Sequence, residues 1–167
     1  SATPSNFGGN PNRPVEMVSW NDVQVFLNRL NERESNVSRL PDRWAYVLPT
    51  EAQWEYACRA GTTTAYSLGH DINSTHANFN WDGEFNTGTD LKETRDVGKY
   101  NPNPWGFFDM HGNVWEWTRD SYGEYSSDIH IEPFNAGTTD SNRVCRGGSW
   151  SFSGSDLRSA SRQPPVP

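Results

Sequence analysis

Aliphatic side chains are scarce in this sequence: Leu, Ile, Val and Phe together number 28 of 167 residues. A fraction below about 20 % with high net charge ordinarily marks a disordered chain. Cysteine is nearly absent, and two thiols, Cys58 and Cys145, are too few for a disulfide scaffold. Basic charge is in deficit, with 14 Lys and Arg against 21 Asp and Glu and a net charge of −7. That excludes nucleic acid as a default partner, because phosphate-backbone binding needs a basic face. No apolar run approaches the roughly 18 residues of a membrane-spanning helix. The four histidines, His70, His76, His111 and His130, show no zinc spacing, and His-Glu-x-x-His and Cys-x-x-Cys are both missing. A phosphate loop and a Gly-x-Ser-x-Gly elbow are missing as well.

What is abundant points away from disorder. Eight Trp, eight Phe and six Tyr each bury on the order of 150–250 Å² when placed inside, and disordered chains are poor in aromatics. The length suits one domain. Residues 1–14 are turn formers and predict a lead-in loop, followed by a short extended piece at Val15 and Met17. Ser19 with Asp22 forms a variant capping box. Behind it Val23, Phe26, Leu27 and Leu30 make one stripe, predicting a helix from about Trp20 to about Glu32. Trp44 to Leu48 predicts a short strand stopped by Pro49. Thr50 and Gln53 cap a second helix with Trp54, Ala57 and Cys58 inward and Gly61 at the left-handed C′ position. Beyond Gly61 the chain turns every few residues, with short runs at His111–Thr118 and Arg143–Trp150. Two helices followed by an irregular, β-poor half give an α+β domain.

The chemistry concentrates in Gly106 to Trp117. If extended, Trp115 and Trp117 share one face and Glu116 takes the other. On spacing alone the segment reads first as a core strand with both indoles buried. The sharper alternative is a calcium site, because calcium takes 6–8 oxygens from carboxylates and carbonyls and Asp109 and Glu116 bracket a glycine turn. A second acidic stretch, Asp82, Glu84, Asp90, Glu93 and Asp96 among Asn78, Asn80 and Asn86, is either a solvated loop or a second cation site. Cys58 and Cys145 read as packed thiols.

Five motifs occur in order: Pro14-Val15-Glu16-Met17-Val18-Ser19-Trp20, Leu48-Pro49-Thr50-Glu51-Ala52-Gln53-Trp54-Glu55-Tyr56-Ala57, Asn103-Pro104-Trp105-Gly106, Gly112-Asn113-Val114-Trp115-Glu116-Trp117 and Arg146-Gly147-Gly148-Ser149-Trp150. Together they resemble the formylglycine-generating-enzyme, or sulfatase-modifying-factor, family. The resemblance implies a variant of the C-type lectin fold with two helices, short strands and much loop. It also implies that the opening strands before Pro4 to Phe7 and the closing Gly-Phe-Arg strand fall outside residues 1–167. Active members oxidise a sulfatase cysteine with oxygen and a copper ion gripped by two cysteines just after the Gly-Gly-Ser motif. Laid on without gaps, that pair falls here at Phe152 and Leu157, and no cysteine follows Cys145. Copper is therefore not expected.

The family's calcium ligands carry over better. Asp109 stands where the family often has Asn, Gly112 and Val114 would offer carbonyls, and Glu116 matches directly. A second calcium would take Asn78, the carbonyl of Phe79 and Asp90. In retroelement-diversified variable proteins, a related subset, the surface after Gly-Gly-Ser-Trp binds ligand. Here that implies Trp115, Ser149, Trp150, Phe152 and Arg158. The expectation is a non-catalytic paralogue that binds a protein or peptide on a calcium-stabilised scaffold. The alternatives are a formylglycine-generating oxidoreductase acting on a sulfatase cysteine, or a retroelement-diversified variable binding protein.

Overall fold

The computed structural model describes residues 4–80, 91–125, 131–137 and 142–163. It is a mixed α+β arrangement: α1 (Trp20–Asn36), α2 (Glu51–Arg59), β1 (Glu116–Ser121), β2 (Arg143–Arg146) and a 3-10 turn at Gly154–Leu157. Asp82, Glu84, Asn86, Asp90 and His130 lie outside the described residues.

Both helices start where their boxes dictate. Ser19 accepts from the Asp22 N–H while Asp22 accepts from Ser19, and Thr50 and Gln53 do the same at α2. α1 runs a turn beyond the predicted end because its polar tail is itself bonded: Glu34 is buried between Arg33, at 2.8 Å, and Arg39, at 3.9 Å. Its apolar stripe is less enclosed than the periodicity implies. Val23, Leu27 and Leu30 are half-buried and Phe26 is exposed. At the end of α2 the left-handed position falls one residue earlier than predicted, on Ala60 (φ 48°), with Gly61 also at positive φ.

Neither the extended piece at Val15 and Met17 nor the strand predicted at Trp44 to Leu48 forms a strand among the described residues. Val15 and Met17 are exposed, and Met17 sits at φ 59°, which breaks an extended run. Trp44 to Leu48 has no ladder partner among the described residues. Instead the Asn31 side chain of α1 clips it, donating to the Tyr46 carbonyl at 3.0 Å and accepting from the Tyr46 N–H at 2.7 Å. β1 and β2 pair antiparallel, Glu116 opposite Arg146 and Trp117 opposite Cys145, with an irregularity before Ser121 meets Arg143. Gln163 adds a bridge on the far side of Cys145.

Two small apolar clusters replace one large core. Tyr66, Ile72, Ala77, Phe79 and Leu157 form the first; Trp54, Cys58 and Met110 form the second. Beside the second lies Arg146, fully buried. Its guanidinium faces Glu51 at 3.1 Å, pairs with Glu55, donates to the Ser159 carbonyl at 3.1 Å and sits over the Trp54 ring at 5.6 Å. Arg162 adds a second cation on Glu51 at 2.7 Å. Three distant segments, α2, β2 and the C-terminal stretch, thus meet at one charge.

Removing one member of a buried ion network leaves the others uncompensated, at a cost of about 3–5 kcal/mol. Arg146→Met is expected to destabilise by that amount in urea unfolding. Arg146→Lys is expected to recover little, since an ammonium does not span two carboxylates and a carbonyl. Leu157→Ala, which empties the first cluster, should lose about 2–5 kcal/mol.

Candidate functional site

The loop that carries the candidate cation ligands is set by asparagines. Asn103 is buried, accepts from the N–H groups of Trp105 (3.0 Å) and Phe107 (3.1 Å), and donates to the carbonyls of Ala57 (2.7 Å) and Cys58 (3.1 Å). It staples the loop beneath the end of α2. Asn113 plays the same part further on. It donates its N–H to the Asn78 carbonyl at 2.8 Å, exchanges side-chain bonds with the Arg95 backbone at 2.8 and 3.1 Å, and accepts from Trp150 N–H at 3.0 Å. Gly112 has to be glycine: at φ 83° a Cβ would stand 2.3 Å from the Asn78 carbonyl oxygen.

Asp109, Gly112, Val114 and Glu116 all line one cavity of about 370 Å³. Asp109 holds the Gly98 N–H at 2.6 Å. Glu116 accepts from the Trp54 indole N–H at 2.7 Å, which turns its carboxyl towards α2. Burial pushes the Glu116 carboxyl up to about 7, the Trp54 bond pulls it down, and the Asp109 charge adds to the rise. Two carboxylates in one cavity repel each other, and a cation between them would relieve that repulsion.

Asn78 forms a backbone bridge with Gly112, so the second candidate set adjoins the first. Its side-chain NH₂ donates to the Glu93 carbonyl at 2.8 Å, while its Oδ1 is buried without any partner. Phe79 follows it into the first apolar cluster. Asp90 lies outside the described residues.

The residues after the glycine pair form an aromatic surface. Trp115 meets Phe152 edge-on at 5.3 Å, and Trp150 meets Phe7 edge-on at 5.4 Å. Ser149, directly before Trp150, is buried, its hydroxyl 3.2 Å from that of Ser151. The Trp115 indole N–H is buried and has no acceptor. Arg158 is exposed beyond the 3-10 turn, donating to the Ser155 carbonyl at 2.9 Å. Trp117 turns elsewhere, donating to the Val18 carbonyl at 3.1 Å. Leu157 is wholly enclosed, and a Cβ on Gly148 would come within 2.5 Å of its Cδ1.

The thiols stand apart from this surface. Cys58 is enclosed by the Met110 carbonyl (3.7 Å), His111 Nε2 (3.8 Å) and Ser159 Oγ (3.5 Å), and burial pushes it up to about 11. Cys145, on β2, is pushed up to about 12 by burial. His111, invisible as a packed residue in the sequence, donates from Nδ1 to the Leu157 carbonyl at 2.7 Å and accepts Ser67 N–H and O–H on Nε2. Burial lowers its pKa, and a ring that accepts on Nε2 while donating from Nδ1 is the neutral form. A further cavity, of about 710 Å³, lies between α2 and the end of β1. Its floor of Arg146, Glu51 and Glu55 is paired internally.

A model of the sulfatase-modifying factor enzyme 1-like domain matches residues 2–167. The chain is 36 % identical over 157 residues to the formylglycine-generating enzyme of Streptomyces coelicolor, covering 87 % of this chain and 45 % of that one. It is 31 % identical over 143 residues to the inactive C-alpha-formylglycine-generating enzyme 2 of Bos taurus, covering 82 % of this chain and 38 % of the other. Against the solved structure of Treponema denticola variable protein 1 the TM-score is 0.77, at 25 % identity over 99 % of this chain and 72 % of that one. The chain thus spans less than half the length of these two enzyme relatives.

The Glu116 environment has a pH signature. A carboxyl whose folded pKa exceeds its unfolded value weakens the fold as it ionises. With metal chelated, its contribution is unimpaired below about 4.5 and is lost as pH rises to about 7. The stability difference between wild type and Glu116→Gln, from urea midpoints, is therefore expected to shift against wild type across that interval. Parallel curves would remove this account of Glu116.

Proposed function

The chain belongs to the sulfatase-modifying factor family, and we propose that it serves as a non-catalytic binding domain on a calcium-stabilised scaffold. One observation carries the reading. At the two positions where the resemblance puts the copper-gripping thiols stand Leu157, sealed in an apolar cluster, and Phe152, packed edge-on against Trp115. Copper(I) requires soft thiolate ligands. The chain's own thiols are buried on α2 and β2 and held neutral by pKa values of about 11 and 12. Neither supplies a thiolate near neutral pH.

What occupies that surface suits recognition. Half-buried Trp115, Trp150 and Phe152 offer apolar area with fixed ring geometry, the kind of anchor that dominates protein and peptide binding. Ser149 and Arg158 add polar contacts at its border. The chain shares its fold with a variable protein, and the resemblance of its motifs to that subset is what implies binding on this surface. The 36 % identity to a formylglycine-generating enzyme favours the second reading, an oxidase acting on a sulfatase cysteine, and thiol chemistry weighs against it.

The residues fit calcium. Asp109 and Glu116 would bind it through carboxylates and Gly112 and Val114 through carbonyls, in the cavity that all four line. Asn78 Oδ1, buried and unpaired, would serve a second ion with the Phe79 carbonyl and Asp90. Calcium's preference for mixed oxygen donors matches both sets, and its role there is charge neutralisation within the fold.

Two measurements test this. Titration with copper(I) alongside a Cys-x-Pro-x-Arg peptide should give neither stoichiometric binding nor turnover; either result would establish the oxidase instead. Chelation should lower the melting temperature by several degrees, at about 2–4 °C per kcal/mol for a domain of this size. Glu116→Ala should abolish that response. A melting curve indifferent to chelator removes calcium from the account.

A further inference from the structure

A cavity of about 170 Å³ lies where the N-terminal loop crosses the stretch from Leu91 to Lys99. It shares no lining residue with the candidate calcium cavity. Three cations line it, Arg13, Arg95 and Lys99, with two carboxylates, Glu93 and Asp96, and the hydroxyl-bearing Thr94. On a chain of net charge −7 whose two lysines are Lys92 and Lys99, this is a local inversion of sign.

The pairing within the cavity leaves donors over. Both oxygens of Glu93 are taken by Arg13, at 2.9 and 2.8 Å, and Asp96 accepts from the Asn10 side chain at 2.6 Å. Arg95 rests over the Tyr100 ring at 4.6 Å, and neither it nor Lys99 has a carboxylate partner among the described residues. Thr94 is 1 % exposed, and its Oγ1 is buried with no partner. The Arg13 Nε–H is likewise buried and unpaired. A guanidinium N–H can only donate, and buried polar groups are almost always satisfied. The inventory is therefore two unmet buried groups able to donate, two cations without a carboxylate partner among the described residues, and one Asp96 carboxylate held by a neutral amide, so cations outnumber carboxylates three to two. It calls for a small anion with several acceptor oxygens. At roughly 30 Å³ per liquid water, the volume also leaves room for such a ligand.

We infer that this cavity binds a compact tetrahedral oxyanion, phosphate or sulfate. Thr94 Oγ1 and Arg13 Nε donate to its oxygens, and Arg95 and Lys99 supply the opposing charge. A divalent cation is disfavoured, because three cations line the cavity against two carboxylates and Arg13 occupies both oxygens of Glu93. The site stands independently of the calcium and binding readings above.

The test is calorimetric titration of inorganic phosphate, and separately of sulfate, into the chain with a calcium chelator present. One saturable site is expected, weakening as sodium chloride is added. A hydrogen bond or ion pair to a charged ligand corresponds to roughly tenfold in affinity. Thr94→Val and Lys99→Gln should therefore each weaken binding by about that factor. Lys99 is exposed, so Lys99→Gln decides the matter even if Thr94→Val fails to fold. A phosphoserine peptide that competes with inorganic phosphate identifies an anion carried on a partner, and one that does not identifies a free anion; both support the site. Absence of saturable binding, binding undiminished in Lys99→Gln, or binding that appears only with added calcium would overturn it.

Discussion

A single buried guanidinium organises this domain. Arg146 lies where the two-stranded sheet ends and the glycine pair begins, and it is held by two carboxylates of α2, the Trp54 ring and a carbonyl from the C-terminal stretch. With few aliphatic residues, hydrophobic burial alone supplies little to lock distant segments together. A desolvated charge that only one geometry satisfies does so, because every displaced partner leaves a buried group unpaired. The consequence reaches the candidate site directly. Gly147 and Gly148 follow at positive φ, one pressed against the Trp54 ring and the other against Leu157. The path of Ser149, Trp150 and Phe152 across the surface is set by that turn.

Asparagine takes over the work that ladders do in a more regular fold. Asn31 holds an extended segment, Asn103 ties a loop to a helix end, and Asn113 joins three segments. Each amide both donates and accepts, so it can stand in for a missing strand neighbour. This is how a chain with two short strands keeps its buried backbone groups satisfied. Asn78 differs from these three. Its amide nitrogen is used and, among the described residues, its oxygen is not, which is why a cation is proposed there.

Unmet pairing also separates the three chemical environments of the domain. Asp109 and Glu116 line one cavity where burial raises the Glu116 carboxyl, the place proposed for a cation. Arg13 takes Glu93 and leaves buried groups able to donate where the anion is inferred. Aromatic edges meet where the ligand surface is proposed. None of these depends on the two thiols, which packing holds protonated.

The helix starts were legible in the sequence because a capping box is closed by residues three apart. Ser19 with Asp22 and Thr50 with Gln53 need no knowledge of the rest of the chain. The five ordered motifs, which marked the family, were legible for the same reason: each is a contiguous string. The absence of strand pairing at Trp44 to Leu48 was not legible, because β-propensity describes a segment, whereas a strand needs a neighbour, and here an asparagine side chain takes that place. The exposure of Phe26, the extra turn of α1 at Glu34 and the early left-handed turn at Ala60 all depend on contacts that periodicity does not carry. Asp109, Gly112, Val114 and Glu116 could be named from their motif, but not the Trp54 bond across 62 positions that orients Glu116. By itself the sequence determined the helix caps, the lineage and the lack of a thiol beyond Cys145, since these are local facts of residue order. Tertiary structure alone decided which polar atoms are left without partners, because burial and pairing are properties of segments brought together from far apart.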